Sequence, residues 1–221
     1  MAFPTRLLAS VDVRRQNGET IVSDKMKALK FCCVKLVESF AVRAKFKTRQ
    51  SCSGIIAVSR EEIVVSGQCN DGKRFYWSLV TLDEKEKSYH EFDGHGERST
   101  YLALNSRKTL LYMCMYKGDS LYCFGLDGKV YYNITPTGLV CVAGLALDRD
   151  DNVYVAGKRS GNIFQISPDG EVLKIFTEHI PLSPSGICFN PTGDKFICIG
   201  RRKPFIRNLR QMDNLYLFQF I

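Results

Sequence analysis

The chain has 221 residues, 45% of them hydrophobic and 24% charged, with a formal net charge of +8; these are the proportions of a folded globular protein and argue against a disordered chain. The longest weakly polar stretch, 138–147, falls well short of the roughly 20 apolar residues that span a bilayer, so neither a transmembrane helix nor a membrane partner is expected. The first eleven residues hold only Leu7-Leu8-Ala9 as an apolar core, too short for a secretory leader, and a cytoplasmic location is the default expectation.

Taken in chain order, residues 7–13 (Leu-Leu-Ala-Ser-Val-Asp-Val) read as one strand. Residues 14–50 hold no more than a partial repeat, with 27–37 and 38–47 as its candidate strands. From residue 51 the chain matches itself four times, in segments that open at Gly54, Thr100, Gly144 and Gly186, at offsets of 46, 44 and 42 residues. Each opening strand leads into a turn, and the turns at 148–152 and 190–194 are rich in Asn, Asp and Gly, the residues that short strand connections favour. Second strands follow at 63–65, 110–112, 153–155 and 196–199, and third strands at 75–82, 120–126, 162–167 and 214–220. Asp127-Gly128 and Asp169-Gly170 mark hairpins, where glycine supplies the positive φ. Fourth strands follow at 89–92, 129–134 and 171–176.

A repeat of four short strands at this period is the pattern of a β-propeller. The expected fold is therefore all-β, with four-stranded antiparallel blades at 51–97, 98–141, 142–183 and 184–221, and 1–50 as a closing strand plus a poorly patterned partial blade. The expected count is about four to five blades, or an incomplete six-bladed ring. The fourth repeat stops after its third strand. An uncovered edge invites edge-to-edge pairing, so 7–13 is expected to pair with 214–220, and the chain to self-associate if the ring stays open.

These segments resemble the C-terminal NHL-like propeller of tripartite-motif (TRIM) proteins, notably the TRIM-like set of molluscs. The resemblance is carried by Ser10-Val11-Asp12-Val13-Arg14, by residues 54–65, by Gly144-Leu145-Ala146-Leu147-Asp148 running on through Asp151-Asn152-Val153-Tyr154-Val155-Ala156-Gly157, by 162–170, and by Pro184-Ser185-Gly186-Ile187-Cys188-Phe189. It implies a domain that recognises the substrate or partner of a ubiquitin ligase. This chain is shorter than that family's pattern between Val13 and Gly54, and it carries none of the Cys/His pairs of RING and B-box zinc modules.

The nine cysteines contain no Cys-x-x-Cys pair, and most lie in apolar strand-like runs, so they read as buried free thiols in a reducing compartment. Neither a metal nor another cofactor is expected. Gly118-Asp119-Ser120-Leu121 spells the nucleophile block of GDSL esterases. A serine of that kind needs a histidine base with an orienting acid, and His90, His95 and His179 offer no Asp-x-x-His; a hairpin turn is the expected reading and catalysis is not. Asp148, Asn152, Asn190 and Asp194 are the polar residues a calcium-dependent propeller hydrolase would use as oxygen ligands, but they sit in turns, and a structural turn role is the expected reading.

Charge is concentrated at the two ends. Residues 1–50 hold eleven Lys/Arg against four Asp/Glu, and 201–221 hold five against one, leaving the middle slightly acidic. Arg201, Arg202, Lys203, Phe205, Arg207 and Arg210 are expected to form a basic loop of the last blade, extended by Lys158 and Arg159 and joined by Arg14 and Arg15. Such a patch suits an acidic protein surface, or single-stranded RNA as the alternative. The expected function is a non-catalytic protein-interaction module.

Overall fold

The computed structural model describes residues 12–16, 19–23, 48–81, 83, 85–177, 182–190, 192–202 and 213–219. It contains strands and no helix among these residues, and the chain divides into two compact units, Met1–Asp93 and Gly94–Ile221.

In the first unit, β1 (Asp12–Gln16) and β2 (Glu19–Ser23) form an antiparallel hairpin. A four-stranded antiparallel meander follows: β3 (Gly54–Ala57), β4 (Glu62–Gln68), β5 (Arg74–Thr81) and β6 (Glu86–Asp93). One face of this sheet gathers Ile63, Val65, Tyr76 and Val80 with Cys52 and Cys69.

The second unit has two further four-stranded meanders. They are β7 (Glu97–Leu104), β8 (Leu110–Tyr116), β9 (Leu121–Gly125) and β10 (Val130–Ile134), then β11 (Val142–Leu147), β12 (Val153–Gly157), β13 (Asn162–Ile166) and β14 (Val172–Phe176). The last sheet is β15 (Leu182–Phe189), β16 (Lys195–Arg202) and β17 (Asp213–Gln219). The opening strands β7, β11 and β15 lie side by side, with β11 in the middle.

The middle sheet shows why its sequence is apolar on both faces. Successive strand residues point to opposite sides. On one side Val153, Val155, Phe164 and Ile166 pack with Tyr112, Cys114, Leu121 and Cys123 of the preceding sheet. On the other side Tyr154 and Ile163 pack with Phe196 and Cys198 of the following sheet, and the Tyr154 ring stands edge-on to Phe189 at 4.8 Å, a favoured aromatic geometry. All five residues of β12 are therefore buried. The outermost strand β14 is mostly exposed.

The turns repeat as faithfully as the strands. Asn105 accepts the amides of Thr109 and Leu110, Asp148 those of Asp150 and Asn152, and Asn190 those of Asp194 and Lys195, at 2.8–3.1 Å. Ser59 does the same for Glu61 and Glu62 in the first unit. The turn at 105–109, with only Asn105 of the Asn/Asp/Gly set that fills the later turns, uses the same chemistry. Gly128 and Gly170 have φ of 92° and 95° as their hairpins require, while Asp127 and Asp169 keep negative φ. Each glycine sits in a turn followed by a register shift rather than in a two-residue loop.

Two expectations concern the edges of the last sheet. First, Asp12 and Val13, the end of the expected closing strand, pair with Ser23 and Val22 of β2. Among the described residues the last sheet ends at β17, which pairs with β16 from Asp213 to Gln219. Residues 7–11 and the candidate strands at 27–37 and 38–47 lie outside the described residues. Second, Arg201 and Arg202 belong to the end of β16, opposite Ser183 and Leu182, and not to a loop; backbone pairing carries the strand further than its apolar run.

Candidate binding face

In an antiparallel meander alternate connections fall at opposite ends. At one end of the second unit lie the turns at 105–109, 148–152 and 190–194. They are stitched together: Asp151 accepts from the Ser106 amide and hydroxyl at 2.7 and 2.8 Å, and Gly193 packs on the Arg149 backbone. Here Asp148, Asn152, Asn190 and Asp194 bond within their own turns, which fixes the turns and engages the oxygens an ion would need.

The other end gathers cations. Lys117 follows β8, Lys158 and Arg159 follow β12, and Arg201 and Arg202 close β16. The backbone ties these positions together. Val142 donates to the Gly118 carbonyl at 2.8 Å, and Lys158 and Arg159 donate to the Cys141 and Val140 carbonyls at 2.9 and 3.1 Å. The Ser183 hydroxyl donates to the Lys158 carbonyl, and Ser183 stands opposite Arg201 in the β15–β16 ladder. These bonds bring the backbone of Lys158 and Arg159 beside the strand pair that ends at Arg201.

Tyr116 is the centre of this end. The Lys158 ammonium lies 5.3 Å from its ring centre and donates to its hydroxyl at 3.2 Å, while the Lys117 ammonium lies 5.8 Å from the same ring. An aromatic face attracts cations through its quadrupole. Lys117 is paired with Glu97, whose carboxylate raises its pKa. Among the described residues Lys158 and Arg159 have no carboxylate partner. Val140 beside them is 45% exposed.

Of the other expected site residues, Lys203, Phe205, Arg207 and Arg210 lie outside the described residues. Arg14 and Arg15 lie in β1 of the first unit, opposite Ile21 and Thr20. Ser120 is buried in the β8–β9 turn region, its hydroxyl bonded to those of Thr135 at 2.8 Å and, more weakly, to Asp119. Sequence reasoning missed Tyr116, Lys117 and Val140. A signal for Lys117 was present, since each second strand of this unit ends in a cation or is followed directly by one, but it shows only once the strands are aligned at their last residues.

Fold and site together define an all-β protein of repeated four-stranded antiparallel sheets with a cationic end. No family model matches the chain, and no curated protein matches it. Among solved structures, hydrazine synthase of Kuenenia stuttgartiensis is similar, with a TM-score of 0.56 at 16% identity; the match covers 81% of this chain and 48% of that one. At that identity the likeness is one of fold, and the activity in that protein's name stays with that protein.

Proposed function

We propose that this chain is a non-catalytic protein-recognition module, a β-propeller of the NHL-like kind found in TRIM proteins, which docks a protein partner on its cationic end. The observation that carries this reading is the gathering of Lys158, Arg159, Arg201 and Arg202 where three sheets end, with Lys158 and Arg159 lacking an acidic partner among the described residues. Rigid repeated sheets that present variable connections on one side are a common scaffold for recognition. The bonded, buried Ser120 supports the absence of hydrolysis at the Gly-Asp-Ser-Leu stretch.

The test is site-specific photocrosslinking in cells. A photoreactive residue at position 159 should capture protein, whereas the same residue at position 150, at the opposite end, should capture far less. Equal capture at the two positions, or none at 159, overturns the reading.

A further inference from the structure

Two ammonium groups share the Tyr116 ring, and their surroundings differ. Lys117 has its carboxylate, Glu97. Among the described residues Lys158 meets the Tyr116 ring and its phenol oxygen and no carboxylate, and exposed Arg159 beside it has no acidic partner there either. Like charges brought together on one surface favour an anion between them.

The mounting of these cations is rigid. The turn that holds them has its amides on Cys141 and Val140, its Lys158 carbonyl on Ser183, and its Ser160 hydroxyl accepting the Val140 amide at 3.2 Å and donating to Asn162. Asn162 in turn donates to the Gly138 carbonyl at 3.2 Å. The backbone that carries the cations has little freedom left to lose on binding, which lowers the cost of docking a partner there. The aromatic ring decides between classes of anion. A nucleic-acid base needs an open ring face on which to stack, and the Tyr116 ring already carries two ammonium groups. The exposed neighbour is instead aliphatic Val140, which suits a side chain and not a base.

Resting on the recognition reading above, we propose that Lys158, Arg159, Tyr116 and Val140 form the anchoring site for an acidic peptide segment of the partner. A carboxylate of that segment takes the open side of the Lys158 ammonium and the Arg159 guanidinium, and an adjoining apolar residue covers Val140. Tyr116 is a positioning residue: it holds the Lys158 ammonium at the surface.

The test uses the full chain and a fluorescent peptide of glutamates with interspersed leucines, read by anisotropy. Binding is expected to weaken as salt rises. Lys158→Met, which removes the charge and keeps an unbranched apolar side chain, and Arg159→Gln should each reduce affinity by about three- to tenfold, and Tyr116→Phe by less. Asp150→Asn at the opposite end should leave it unchanged. Equal binding of the peptide with glutamine in place of glutamate overturns the proposal. So does tighter binding of an oligouridine of similar length, or no binding of the peptide. Crosslinking at position 159 separates the two conclusions. Protein capture there without peptide binding removes the acidic segment and leaves the face, whereas no capture removes the face itself.

Discussion

Lys108, Asp151 and Gly193 hold the same place in three successive turns, with φ of 56°, 64° and 70°. A left-handed residue at that position lets the Asn or Asp three residues earlier reach the amides beyond it, and only glycine adopts it freely. At Gly193 a Cβ would also lie 2.6 Å from the Arg149 backbone nitrogen. Gly193→Ala is therefore expected to cost at least about 2 kcal/mol, and Lys108→Gly to gain roughly 0.5–1 kcal/mol, both read by urea denaturation. Asp71 contributes to the acid limb of stability, together with Asp83 and Asp194, whose pKa values are also lowered by hydrogen bonds. The Asp71 carboxylate accepts the Lys73 and Arg74 amides and the Arg74 side chain, which hold its pKa down at about 2 against 3.8. A lowered folded pKa gives stability that is present above the unfolded value and lost as pH falls through the folded one. Stability should fall between about pH 4 and pH 2, and Asp71→Asn should flatten that limb. The thiols run the other way. Burial raises Cys198 to about 12 and Cys52 to about 11, whereas Cys188 is exposed. Iodoacetamide at mild alkaline pH should label Cys188 in the native protein, and Cys52 and Cys198 only after unfolding; early labelling of Cys198 would contradict the packing of β16 against the middle sheet.

At the scale of the element, the opening strands of the second unit share a device. In β7, β11 and β15 the pairing register shifts immediately before Thr100, Gly144 and Gly186. A β-bulge bends a strand and sharpens its twist, and here it stands where adjacent opening strands come close. A Cβ on Gly144 would lie 3.1 Å from the Gly186 Cα, but one on Gly186 would meet nothing within 4 Å. Gly144→Val is expected to cost about 1–3 kcal/mol, and Gly186→Ala less than about 1 kcal/mol, measured as the shift in denaturation midpoint. The glycines at these openings were legible as a repeat. Which of them is sterically required was not, because that depends on the neighbouring sheet. The same holds for β16: Arg201 and Arg202 look like loop residues until Ser183 and Leu182 pair with them.

For the whole molecule, division into two compact units makes unfolding separable. The single Trp77 lies in β5 of the first unit and is fully buried, so its fluorescence reports the loss of packing around that strand. Under increasing denaturant its transition should not coincide with the exposure of Cys114 and Cys198, buried in the second unit; coincident transitions would mean that the units unfold as one. The amino-acid sequence by itself determined the strands of the four repeats, their order and their turns, because strand alternation and Asn/Asp/Gly turn chemistry act over a few neighbouring residues. It also marked Lys158, Arg159, Arg201 and Arg202 as cations of interest. Tertiary structure decided what depends on distant partners: that β1 pairs with β2, that Ser183 joins the Lys158 turn to Arg201, and that Lys158 rests on Tyr116 while Lys117 is neutralised by Glu97. The pairing of β1 with β2 and of Glu97 with Lys117 follows from the register of neighbouring strands, whereas the Ser183 and Tyr116 contacts of Lys158 join residues 25 and 42 apart in sequence and arise only where separate sheets end together.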